Sequence, residues 1–184
     1  MGARGGGGGR GGGGGVGATE QGFSKALASS IVAHEKTIMG NNYETLKVFD
    51  ENGNVTYEKV GGPNSVAYIG SKTVNMIVTH NHPNGSSFSG ADLKNAVNIN
   101  QKEIRATGKD FTFSMKRPAT GWGTTGRSVM AKYNKLFKEA GVIYHKQKTG
   151  DAEKDRKLFV KLTSDISAKI AKHYGWTYTV KKNS

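Results

Sequence analysis

The residue types best able to do chemistry are gathered between Thr79 and Leu93, in the stretch THNHPNGSSFSGADL. His80 and His82 stand two apart, and residues two apart on an extended strand point to the same side. Both imidazoles would leave the end of a strand in one direction, with Asn81 facing the other way and Pro83 forcing the chain out of the strand. Neutral imidazole is a good zinc ligand, and two ligands on one rigid element are well preorganised. Asp92 follows Ser89 by three residues, the spacing of a capping-box variant at a helix start, where the helix dipole also favours a carboxylate. The same carboxylate is a candidate third ligand, since a capped helix start is a rigid mount. The competing reading is a strand running through a turn into a capped helix, with no metal.

Two histidines and one carboxylate leave a fourth zinc position to water, which is the catalytic rather than the structural pattern. Zinc lowers the pKa of such a water toward about 7, and a nearby carboxylate must then accept its proton and return it to the leaving group. Glu35, late in a first helix, and Glu44, at the start of a first strand, are the upstream candidates. Glu44 is better placed, because a residue beside the His strand can lean over the metal. Glu35 reads equally as a solvated helix residue.

The elements that must position these groups follow from periodicity. Phe23, Leu27, Ile31 and Ile38 predict a helix over about 19–39, which Gly40 can end. YETLKVFDENGNVTYEKV alternates around an Asn-Gly step and predicts a hairpin with strands near 43–49 and 54–60. NSVAYIG reads as a short strand or turn, and TVNMIVTH as a buried strand. Ser89 to about Thr107 reads as one helix on Leu93, Val97 and Ile104, and DFTFSMKR as a strand. RSVMAKYNKLFKEAG predicts a helix and VIYHKQ a strand. The stripe Leu158, Leu162, Ile166 and Ile170 marks a long helix, followed by an edge strand at WTYTV. The fold class expected is α/β, a mixed central sheet flanked by helices.

With 184 residues, the chain suits one domain: a tail over 1–18, a metal-binding core over 19–118, and basic closing elements over 119–184. The tail, with 12 glycines in its first 17 residues, has nothing to bury and is expected to be a disordered linker. There is no cysteine, so thiolate nucleophiles and Cys-based zinc sites are excluded. No apolar run reaches the roughly 18 residues of a membrane span, and a cytoplasmic protein is expected. Residues 1–115 carry 11 Lys and Arg against 9 Asp and Glu, while 116–184 carry 16 against 5, so most of the +13 charge belongs to the C-terminal third. That field suits nucleic acid as a partner, or merely solubilises the surface. Arg105, Lys116 and Arg117 are candidate contacts for an anionic substrate. Phe111 and Phe113 read as core, Trp122, Trp176 and Tyr178 as packing anchors, and the isolated His34, His145 and His173 as structural or solvated. No Gly-x-x-x-x-Gly-Lys occurs, which excludes a P-loop.

His80-Asn81-His82-Pro83 followed by Ser89-Gly90-Ala91-Asp92 resembles the signature of the JAMM (MPN+) metalloproteases, and HNHPNG is especially similar to its RadC-type branch. The likeness covers roughly residues 20–118, with five residues between Pro83 and Ser89 where the family usually has six. It implies a zinc ion on His80, His82 and Asp92, Glu44 as general base and acid, and Ser89 as a hydrogen-bond donor to the oxyanion. The substrate implied is a peptide or isopeptide bond in a protein or peptide. A second likeness, to C-terminal segments of phage head-morphogenesis proteins, implies a virion-associated chain working near packaged DNA. Two alternatives stay open: a metal-dependent nuclease or nucleic-acid binder using the basic third, and a non-catalytic assembly module.

Overall fold

The computed structural model describes residues 25–67 and 70–184. Phe23 and the glycine-rich segment lie outside the described residues. Eleven elements are described in chain order: α1 (Lys25–Ile38), β1 (Thr45–Phe49), β2 (Val55–Val60), α2 (Gly70–Thr73), β3 (Ile77–Asn81), α3 (Gly90–Asn98), β4 (Glu103–Thr107), β5 (Phe111–Lys116), α4 (Gly126–Gln147), α5 (Ala152–Tyr174) and β6 (Thr177–Lys182). The six strands form one sheet in the order β2-β1-β3-β4-β5-β6. Only β3 and β4 run parallel, joined through α3 as a βαβ unit. This is the mixed α/β architecture expected, with helices on both faces.

Strand alternation sorts the two faces. Ile77 and Phe49 turn toward α1 and pack on Leu27 and Ile31. Ile104, Ala106, Phe113 and Met115, in register with Val78 and His80 and with one another, turn the other way, into the main core with Phe88, Leu93, Val129, Val160 and Ile170 from the region of α3, α4 and α5. Val78 and Leu46 continue that second face beneath Val66. His80, one residue past Thr79, therefore belongs to the face of α3, opposite α1.

Two sequence expectations are corrected. The helix begun at Ser89 stops at Asn98 rather than near Thr107, because Asn100 takes a left-handed conformation (φ 58°) and turns the chain into β4, where Ile104 and Ala106 are fully buried. Asn tolerates that conformation and so ends helices much as glycine does. VIYHKQ is not a strand: α4 continues through Gly141 to Gln147, leaving Val142 and Ile143 exposed on a helix. A mid-helix glycine costs only about 1 kcal/mol, which the long packing of α4 on α5 can offset. Trp122 and Trp176 are buried and meet edge-on, with centroids 4.6 Å apart, as packing anchors should. Among the described residues no helix is long and apolar enough to cross a membrane.

Candidate metal centre

β3 delivers His80 to a fully buried position and then leads into the turn that carries His82. The turn is tight: Gly85 N–H donates to the His82 carbonyl at 2.8 Å, and Gly85 itself sits at φ 76°. Gly108, after β4, lies so close that a Cβ there would fall 2.5 Å from the Gly85 Cα, so the two loops are pressed together. α3 brings the carboxylate. Ser89 caps it by accepting the Asp92 N–H at 3.1 Å, and Asp92 accepts in return from the Ser89 N–H (2.8 Å) and hydroxyl (2.7 Å). α3 is seated on α4 at Gly90, where a Cβ would meet Met130 and Tyr133 at 2.8 Å. The capping box and the candidate ligand position are thus one arrangement, and the five-residue loop brings Asp92 beside the two histidines.

The three donors converge. His80 Nε2 and His82 Nε2 lie 3.0 Å apart, with Asp92 Oδ1 3.5 Å from the first and Oδ2 3.4 Å from the second. A tetrahedral ion with bonds of about 2.05 Å holds its donors about 3.3 Å apart, so the set fits a small divalent cation. His80, His82 and Asp92 form the group of this kind found among the described residues. His82 Nδ1 faces the Ser86 carbonyl at 3.0 Å. A carbonyl can only accept, so the neutral ring carries its hydrogen on Nδ1 and leaves the Nε2 lone pair for a metal. In the protein alone the charges compensate locally. Burial opposes a charge on His82, but Asp92, the Ser86 carbonyl and Glu44 outweigh it and raise the pKa to about 9. Burial likewise opposes the Asp92 carboxylate, and the two histidines more than offset it, holding its pKa well below the usual range. A cation would bind in competition with that proton.

Glu44 is buried at the mouth of the same site. Burial raises its pKa, His80 and His82 lower it, the negative charge of Asp92 raises it again, and the Val66 N–H donates to it and lowers it. Its place is set by Asn81, whose side chain crosses from β3 to the start of β1. The Asn81 amide accepts from Thr45 N–H at 2.7 Å and donates to the Tyr43 carbonyl at 2.8 Å, clamping both neighbours of Glu44. Sequence reasoning noted only that Asn81 points away from the imidazoles; its partners lie 36 and 38 residues away and leave no local signal. Glu44, His82, Ser89 and Asp92 line a cavity of about 540 Å³, walled further by Asn42, Asn64, Asn84, Asn95 and the 63–67 segment, with no Lys or Arg among its lining residues.

Several candidates lie elsewhere. Glu35 is buried, not solvated, and sits on the α1 face behind the His pair. It accepts from Thr79 Oγ1 (3.0 Å) and takes Arg105 Nε and Nη2 at 2.6 and 3.0 Å. Arg105 is correspondingly engaged, with Nη1 on Glu103 at 2.8 Å, rather than offered to a substrate. Lys116 lies 4.0 Å from the other Glu103 oxygen. Arg117 donates to the Asn100 carbonyl and Asn75 Oδ1 at 2.8 and 2.6 Å. None of the three lines the cavity. Ser89 is at the site, but its hydroxyl proton is spent on Asp92, so it orients the carboxylate rather than pointing a donor into the cavity. His34 is buried with Nε2 lacking a hydrogen-bond partner among the described residues. No protein-family model, curated protein or solved structure matches this chain.

Proposed function

We propose that the chain is a zinc-dependent hydrolase of peptide or isopeptide bonds, JAMM-like in its chemistry, with zinc held by His80, His82 and Asp92. The observation that carries this reading is the convergence of three buried donors, two of which, His82 and Asp92, line one cavity with the separately held carboxylate of Glu44. Zinc bound there would polarise a substrate carbonyl and acidify a water molecule at the site. Glu44 takes the proton from the attacking water and delivers it to the leaving amine nitrogen. Burial supports that role, since a carboxylate with a raised pKa is a better proton acceptor near neutrality. Asn81 fixes where Glu44 can reach, and Ser89 holds the Asp92 carboxylate toward the histidines.

The cavity lining favours a peptide over a phosphodiester. Phosphate backbones are gripped by cations, and this wall offers amides, hydroxyls and carboxylates instead. Asparagine side chains suit a peptide backbone, which presents alternating donors and acceptors. The test begins with elemental mass spectrometry on the purified protein and on His80→Ala/His82→Ala, where about one zinc per chain, absent from the double variant, is expected. Quenched-fluorescence peptide and lysine-isopeptide libraries then give metal-dependent cleavage that Glu44→Gln abolishes. Metal-dependent degradation of DNA or RNA, stopped by the same substitution and without peptide cleavage, would replace this reading with a nuclease.

A further inference from the structure

The sheet ends at β6, which pairs with β5 on one side only. Asn183 N–H donates to the Asp110 carbonyl at 2.8 Å, and this sets the hydrogen-bonding parity of the antiparallel pair. Residues 177, 179 and 181 bond inward, so the N–H and C=O groups of Tyr178, Val180 and Lys182 point outward from the edge. The side chains of the same three residues lie on the α5 face, where Tyr178 Oη meets Ser164 at 3.0 Å. Between this edge and α5 runs a groove of about 550 Å³. Its floor is apolar, made by Phe111, Phe113, Val160 and a Val180 that is 47% exposed. A helix and a free strand edge separated by an apolar groove is the geometry in which extended peptides add to a sheet.

We propose that this groove binds an extended peptide that adds to β6 as a seventh strand, with apolar residues at its groove-facing positions and one acidic residue at the groove-facing position beside Lys157 and Lys182. The acidic preference follows from charge. The two acids lining the groove are already engaged, Asp110 by Arg156 at 2.6 Å and Asp165 by Lys161 at 2.7 Å. Lys157, 3.6 Å from Glu153, lines the groove with Lys182, and Lys182 has no ion pair among the described residues. Lysines on an edge strand discourage copies of a basic chain from pairing with one another and select a partner of opposite sign. β6 is three strand spacings from β3, about 14 Å, so the groove does not share residues with the metal centre and its occupancy is independent of hydrolysis.

The experiment uses the full chain and a fluorescein-labelled, end-capped octapeptide in which Val, Phe, Val and Glu occupy alternate positions between threonines, so that all four can face the groove. Fluorescence anisotropy is expected to show saturable binding, and amide resonances of residues 177–182 to shift in a titration followed by NMR. Val180→Pro removes one outward N–H without touching an inward bond, a position where proline is tolerated, and should weaken binding at least tenfold with thermal stability retained. Lys157→Glu/Lys182→Glu, on exposed side chains, should weaken the Glu peptide about tenfold and strengthen a Lys-for-Glu counterpart. Equal binding of both peptides to the native chain, indifference to Val180→Pro, or no binding at millimolar peptide would overturn the proposal. So would concentration-dependent dimerisation that Val180→Pro abolishes, which would assign the edge to a second copy instead.

Discussion

Two clusters of buried charge lie back to back across β3, and they differ in how their charges are satisfied. On the α1 face, Glu35 and Glu103 close on Arg105, with Thr79 and Ser114 hydroxyls donating to the same carboxylates. On the α3 face, Asp92 and Glu44 close on two imidazoles, with no arginine or lysine on the cavity wall. The first cluster carries its own permanent cations, Arg105 within it and Lys116 at its rim, 4.0 Å from Glu103. Arg105 is held above its ordinary pKa, burial opposing and Glu35 and Glu103 prevailing, so nothing further need enter. The second has no such cation on its wall; its three donors could hold a metal ion, and it opens on a cavity. Charges paired within the fold make a fastening; donors that could take up a cation beside a cavity make the candidate site.

Crossed substitutions give the largest expected effects. Glu44→Gln should cut hydrolysis roughly 10²–10⁴-fold, the usual worth of a general acid-base group, with zinc content and unfolding midpoint little changed. Glu35→Gln should do the reverse, since removing one partner from a buried ion pair costs about 3–5 kcal/mol. Turnover per folded molecule should then stay near the native value. Chemical denaturation and active-site-normalised rates measure the two halves. A Glu35→Gln protein that folds normally but cannot turn over would erase the distinction between the clusters.

Metal supply should separate them again. Zinc at about 100-fold above its Kd stabilises by about 2.7 kcal/mol, or about 5–10 °C in Tm for a chain of this size. A chelator should reverse the gain, and His80→Ala/His82→Ala should not show it. Arg105→Met lowers the baseline yet should leave the zinc-induced increment intact. An increment that vanishes in Arg105→Met would mean that the two faces are one cooperative unit.

Asn81 joins the faces, and its expected effect is smaller. Asn81→Ala removes two hydrogen bonds to the backbone on either side of Glu44 and leaves a buried N–H and C=O without those partners. About 1–3 kcal/mol of stability should be lost. If the clamp serves Glu44, kcat should fall while KM and zinc affinity hold. A loss of stability with kcat unchanged would make Asn81 a fastening of the sheet alone.

The sequence made one cluster legible and hid the other for a physical reason. His80, His82, Ser89 and Asp92 lie within thirteen residues, so strand and capping rules reach them all. Glu35 and Arg105 are 70 residues apart, and the sequence shows only that Glu35 falls late in a helix, where it reads equally as a solvated residue. Strand β4 was hidden in the same way. Its Ile104 continues the spacing of Leu93 and Val97, and the turn beyond the helix is made by Asn100 rather than by a glycine or proline. Pairing with β3 on one side and β5 on the other makes the segment a strand. The hairpin over β1 and β2 needed no such partner, because Gly53 at φ 88° and the Asp50 carboxylate, accepting from Asn52 and Asn54 N–H at 2.9 Å, specify the turn locally.

The smallest effect sharpens the contrast with one residue type. His82 beside carboxylates is raised to about 9, whereas burial, and secondarily the Lys47 charge, lower His34 on α1 to about 4. The folded chain therefore holds His34 neutral, while an unfolded chain takes up a proton near the ordinary value of 6.5. Stability from this group is complete above pH 6.5, declines as the pH falls toward 4, and is flat below it. The loss should be on the order of 1 kcal/mol by pH 6. It should appear as a difference between the native chain and His34→Gln, because every other group, His82 included, titrates in both. Urea midpoints at pH 7.5, 6.5 and 6 measure it: the native midpoint should fall more steeply than that of His34→Gln. Parallel slopes would mean that His34 ionises on α1 as freely as in the unfolded chain, and that burial on that face is shallower than its packing against Phe49 implies.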